Sequence, residues 1–139
     1  MIDLIALLYL SSAADSLTEG DLNDILQSSR TNNRRNGITG VLCSGGGHFI
    51  QVLEGPQKEV LKSYLCTLDD RRHKDCQLIG ITPLRNRVFK DWAMGHVDVA
   101  PERMLERRKS LTDCLYDQHA SNGPELIQIM QSLIQGSTT

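Results

Sequence analysis

The chain has 139 residues, of which 40% are hydrophobic and 23% charged, and its formal charge is −2. That length and apolar content suit one packed domain and exclude both a pair of domains and a disordered chain. A balance of 15 Lys and Arg against 17 Asp and Glu excludes a non-specific DNA coat, a polybasic membrane tether and an acidic tail.

The first apolar run, Leu4-Ile5-Ala6-Leu7-Leu8-Tyr9-Leu10, carries apolar side chains at odd and even positions alike. It is strand-sized, far short of a membrane span, and reads as covered on both faces, hence central in its sheet. It lacks the basic start and cleavage site of a signal peptide, so a cytoplasmic location is expected. Thr18-Glu19-Gly20-Asp21 reads as an N-cap with an acidic third position, and Leu22, Ile25 and Leu26 follow at helical spacing. This helix is expected to end at about Ser29 or Arg30, before the polar, basic stretch Thr31–Gly37.

Ile38–Cys43 and His48–Glu54 flank Ser44-Gly45-Gly46-Gly47, the pattern of a hairpin. Gly55-Pro56 then opens a second helix, with Val60, Leu61, Tyr64, Leu65 and Leu68 at i, i+3, i+4 spacing and an end at Asp69–His73. A fourth strand is expected over Gln77–Pro83 and a fifth over Ala93–Val99, joined by a polar turn around Arg85-Asn86-Arg87.

The order βαββαββ predicts an α+β, ferredoxin-like sheet with both helices on one face. The first and third strands are then neighbours at its centre. Tyr9 shares a face with Ile5 and Leu7, and Gln51 with Phe49 and Leu53, so the two polar side chains meet if those faces agree. Past Pro101, Met104, Leu111 and Leu115 mark one helix. Leu126, Ile127, Ile129, Met130, Leu133 and Ile134 mark another, whose stripe is too wide to be left in water. These C-terminal helices are expected to cover the opposite sheet face or a partner.

Enzyme signatures are missing: there is no G-x-G-x-x-G, P-loop, H-E-x-x-H or G-x-S-x-G. The histidines and cysteines have no metal-ligand spacing, so no metal is expected. Cys43, Cys66, Cys76 and Cys114 are expected as free thiols. Several polar residues stand in odd places. Tyr9 is a phenol in the most apolar strand, either bonded to a backbone carbonyl or functional. Gln51 faces solvent if its strand is an edge; in a central strand, leaving its amide unsatisfied would cost about 1–3 kcal/mol. Asn32 and Asn33 read as helix-cap and turn residues. Arg30, Arg34 and Arg35 form either a solvated face or a holder for an anionic cofactor tail. Trp92, the only tryptophan, lies beside Met94 and reads as either a partly buried structural residue or a functional one.

Six ordered blocks carry a family resemblance: Leu8–Ser12, Asp24–Asn33, Gly37–Gly40, His48–Gly55, Asp70–His73 and Phe89–Met94. Over Leu4 to Val97 the sequence resembles the BLUF domain, a blue-light sensor that uses FAD, in a short stand-alone form. The resemblance implies a flavin between the two helices, above the face bearing Tyr9 and Gln51. Ile25 would pack on the ring, Asn33 with Asn32 beside it would meet the flavin carbonyl side, and Arg72 and Asp70 its pyrimidine end. It further implies that Tyr9 and Gln51 are the photoactive pair and that Trp92 and Met94 relay the signal. No enzymatic activity is expected. Residues 1–99 would form the photosensor and 100–139 a helical output extension, acting on a downstream signalling protein or a homo-oligomer. Neither nucleic-acid binding nor membrane contact is expected. The competing readings are a light-insensitive ferredoxin-like interaction module and a flavin-dependent redox enzyme.

Overall fold

The computed structural model describes residues 3–15, 17–116 and 123–135, with the side chains of 114–116, 123–126 and 134–135 left out. Strand β1 (Leu4–Ala13) is followed by α1 (Glu19–Asn36), the hairpin β2 (Thr39–Gly45) and β3 (His48–Pro56), and α2 (Gln57–Leu68). Then come β4 (His73–Leu84), β5 (Gly95–Asp98), α3 (Pro101–Tyr116) and α4 (Gly123–Gln135). No described helix is long and apolar enough to cross a membrane.

The five strands lie in the order β4-β1-β3-β2-β5. All pairs are antiparallel except β2 with β5. β1 is central, as its two-faced apolar pattern requires, and β3 lies against it with Tyr9 directly opposite Gln51. Alternation along the strands sends Ile5, Leu7, Tyr9, Phe49 and Leu53 to one face, where Ile25 and Leu26 of α1 and Val60 of α2 cover them. Ala6, Leu8, Leu10, Ile50 and Val52 go to the other, under Met104 and Leu111 of α3 and Met130 and Leu133 of α4. The ferredoxin-like arrangement, with α1 and α2 on one face and the C-terminal helices on the other, is therefore as expected. The side chains of Cys114, Leu115, Leu126 and Ile134 lie outside the described residues.

Three boundaries differ from expectation, each for a local reason. Helix α1 starts at the foreseen capping box, Thr18 with Asp21, but runs on to Asn36. Gly37, in the left-handed region at φ 70°, ends it there, with its N–H and that of Ile38 both on the Asn33 carbonyl. Asn32 and Asn33 are thus helical, not turn residues. Strand β4 starts at His73 because Ala13 and Ser12 of β1 extend the pairing, with register shifts absorbed along the way. Strand β5 starts only at Gly95. The carbonyls of Ala93 and Met94 are taken by side chains of α1, Asn33 Nδ2 and Arg30 Nε, so they make no strand pairing.

Candidate functional site

Between α1, α2 and the sheet lies a cavity of about 210 Å³. From α1 it is lined by Ile25, Ser28, Ser29, Asn32 and Asn33, which recur at i, i+3, i+4, i+7 and i+8 and so share one helical face. From α2 and the turn after it come Ser63, Cys66, Thr67 and Asp70, again at i, i+3, i+4 and i+7. Gln51 and Leu53 form the floor, and Arg72, His73 and Met94 complete the wall. Both helices thus turn small and polar residues toward each other, a pattern that leaves room where apolar side chains would have closed the gap.

Tyr9 is 0% exposed and does not reach the cavity; Gln51 stands between them. The Tyr9 hydroxyl donates to Gln51 Oε1. The Tyr9 ring leans on Tyr64 at 5.0 Å between centroids. Burial pushes the Tyr9 phenol well above its ordinary value, offset in part by the Thr67 hydroxyl, so it stays protonated through neutral pH. The other end of the Gln51 amide, Nε2, points to Met94 Sδ at 3.5 Å. A thioether is a weak acceptor, so this end of the amide is held loosely compared with the first.

Asp70 and Arg72 form a bidentate pair on the rim, with Nη2 to Oδ2 at 2.7 Å and Nε to Oδ1 at 3.0 Å. The guanidinium holds the Asp70 carboxyl below its usual range. Both side chains are partly exposed and line the cavity. His73, its pKa lowered chiefly by burial, bonds Ser11 Oγ through Nδ1 at 3.1 Å.

Of the residues singled out from sequence, Ile25, Asn32, Asn33, Gln51, Asp70, Arg72 and Met94 line this one cavity, with Tyr9 behind Gln51. Trp92 does not join them. It is 39% exposed and packs flat on Phe89 at 6.0 Å, while Met94, 2% exposed, takes the inner position. Arg30 is committed to the Met94 carbonyl, and with Arg34 it borders a separate hollow beside Trp92. The sequence reading missed Ser28, Ser29, Ser63, Cys66, Thr67 and His73 as cavity residues. The signal was present, as polar residues in step with Ile25 on α1 and with Val60 on α2, but an apolar-stripe search passes over it.

A Ser44–His96–Asp98 cluster at the β2–β5 junction has the residue types of a hydrolytic triad. Its geometry is different: His96 Nε2 faces both Ser44 Oγ, at 2.8 Å, and Asp98 Oδ1, at 3.4 Å. A relay needs the two partners on opposite ring nitrogens.

The family model for sensors of blue light using FAD matches residues 4–95. The photoactivated adenylate cyclase subunits beta and alpha of Euglena gracilis are 34% and 38% identical over 113 and 112 residues, 81% of this chain in each case. The chain spans only 13% and 11% of those two relatives. Among solved structures, the dark-state BLUF protein BlrB matches with a TM-score of 0.71 and 28% identity over 96% of this chain and 99% of its own. A bacterial light-regulated adenylyl cyclase matches with a TM-score of 0.66 and 29% identity, over 96% of this chain and 33% of that one. The chain belongs to the BLUF family, sensors of blue light using FAD.

Proposed function

We propose that this chain is a photoswitch in which Tyr9 and Gln51 form the moving part, FAD occupies the cavity between α1 and α2, and no substrate is turned over. The observation that carries the proposal is the order Tyr9, Gln51, cavity: a buried phenol bonded to an amide that itself lines the binding space. The cavity suits a flat ring with a polar rim. Ile25 and Leu53 give apolar walls, while Asn32, Asn33, Gln51 and the Asp70–Arg72 pair supply donors and acceptors around them. Bound there, FAD would absorb the blue light and, when excited, take up an electron.

Tyr9 would supply that electron and then its proton, and both would return to it once Gln51 has rearranged, so the cycle ends with no net oxidation or reduction. The Tyr9 proton has a direct path, along the existing hydrogen bond to Gln51 Oε1. An amide presents an acceptor at one end and two donors at the other, so rotation or tautomerisation of Gln51 changes what it offers to the cavity. The opposing restraint is the weak Nε2 contact with Met94 Sδ, and movement of Gln51 breaks or remakes it. Met94 adjoins Trp92 and the start of β5, which pairs with β2 and leads into α3. The change at Gln51 thus has a covalent continuation toward residues 100–139. Those residues serve as the output element, 1–99 as the photosensor, and a downstream signalling protein or a second copy of the chain receives the signal.

The test is an absorption spectrum of FAD-loaded protein before and after blue light. A small red shift that reverses in the dark is expected. A protein that holds FAD yet shows no such shift contradicts the photoswitch, and lasting bleaching by NADPH would point to redox turnover.

A further inference from the structure

Glu54 is 0% exposed and lies outside the cofactor cavity. It follows Gln51 by three residues in β3, so alternation places it on the opposite sheet face, with Ile50 and Val52. Its Oε1 accepts from Thr39 Oγ1 at 3.0 Å and from the Phe89 N–H at 2.9 Å, and its Oε2 from the Val88 N–H at 2.6 Å. Arg87 closes the cluster. Its Nη1 donates to Thr39 Oγ1 at 2.9 Å and the Glu54 carbonyl at 3.2 Å, and its Nη2 to the Gly37 carbonyl at 2.7 Å.

A carboxylate is costly to bury unless it is fully hydrogen-bonded, and an apolar side chain would fill the same space without that cost. What the carboxylate adds is a grip on two backbone amides, those of Val88 and Phe89, which belong to no strand. Those residues begin the segment that ends at Met94, against Gln51. The Trp92 N–H bonds the Phe89 carbonyl at 3.0 Å, the Trp92 ring stacks on Phe89, and the Trp92 carbonyl accepts from Gly40 N–H at 2.9 Å. Two residues on, Met94 meets Gln51.

We infer that Glu54 is the positioning residue of the Phe89–Met94 segment: its hold on the Val88 and Phe89 amides keeps Met94, and not Trp92, against Gln51. A carbonyl or a water could satisfy one amide; the two oxygens of one carboxylate fix both relative to β3, the strand that carries Gln51. The same strand therefore carries the switch on one face and, on the other, the carboxylate that places its counterpart Met94.

The test is Glu54→Gln, which keeps size and shape but turns an NH₂ toward an amide or hydroxyl that is itself a donor. Amide exchange at Val88 and Phe89 is expected to quicken about tenfold or more, the change that follows loss of one charge-assisted hydrogen bond. Emission of Trp92, the only tryptophan, is expected to shift in FAD-free protein. In FAD-loaded protein the dark return of the light state is expected to change by at least about threefold, as the loosened contact is part of the barrier. If Glu54→Gln does not fold, Thr39→Val, which removes one donor to Oε1, carries the same expectations with smaller changes. Wild-type exchange, emission and return rate in the folded variant would overturn the inference. So would faster exchange with unchanged emission and return rate, which would confine Glu54 to holding the sheet end. Only the return-rate arm rests on the photoswitch proposed above; the first two stay decisive if the chain shows no photocycle.

Discussion

The Tyr9–Gln51 contact can be weighed as a stability before it is tested as a switch. Tyr9→Phe removes one hydroxyl and keeps the ring against Tyr64, so no cavity of consequence opens. The loss is the hydrogen bond to Gln51 Oε1, whose residue is 6% exposed and gains little replacement from water. A buried acceptor stripped of its donor costs about 1–3 kcal/mol. For a chain of this size that lowers Tm by roughly 3–6 °C per kcal/mol. Gln51→Leu takes the acceptor from the Tyr9 hydroxyl, which is 0% exposed and keeps only the Thr67 hydroxyl beside it, at a cost no larger. The double variant removes both partners of this bond at once, so its loss is expected to fall short of the sum by about 1 kcal/mol or more. Denaturant unfolding of the four proteins, FAD-free, gives the cycle. The alkaline limb gives a second readout. Because burial raises the Tyr9 pKa in the folded state, its contribution is present below about pH 10 and is lost as pH rises further. Tyr9→Phe lacks that loss. Additive single losses, or a Tyr9→Phe protein that keeps a normal light-induced shift, would refute the reasoning.

Three further outcomes follow from the same geometry. Met94→Ala, at a site 2% exposed, is expected to destabilise by about 2–5 kcal/mol and to alter the dark return rate; thermal melts and flash recovery check the two parts. Cys66 is exposed and lines the cavity, while Cys43 is buried with its thiol pushed up to about 11, so iodoacetamide at neutral pH is expected to label Cys66 before Cys43, with FAD protecting it; peptide mass analysis reads both. The Arg72 pairing lowers the Asp70 pKa, so its modest stabilisation is present above about pH 4 and lost as pH falls through the folded value; Asp70→Asn is expected to flatten that acid limb in a pH series of unfolding curves.

The scaffold was legible because its signals are local and repeated. The two-sided apolar run of β1, the Thr18–Asp21 cap, and the glycine turn in which Gly46 and Gly47 take positive φ each state their own conformation. The pairing of Tyr9 with Gln51 followed from topology plus alternation. The extent of α1 was hidden because its last two turns hold no apolar residue; Asn33 buries itself by bonding the Ala93 carbonyl, a contact 60 residues distant in sequence. The late start of β5 has the same cause seen from the other side. Which of Trp92 and Met94 takes the inner position was equally hidden. Both are large and apolar, and the choice rests on Phe89 with its amide held by Glu54, on a glycine at 95 where any Cβ would collide with the Trp92 ring, and on Arg30. Glu54 was visible only as a charge in a strand, since its donors come from a loop that periodicity does not describe.

If Tyr9 and Gln51 are the moving part, light changes what the Gln51 amide presents to the cavity. Side-chain amide resonances of Gln51, assigned by comparison with Gln51→Glu, can be recorded in FAD-loaded protein in the dark, under blue light and after dark return. These signals are expected to move under illumination and to come back at the rate at which the red shift decays. A reversible red shift with the Gln51 signals unmoved would contradict it.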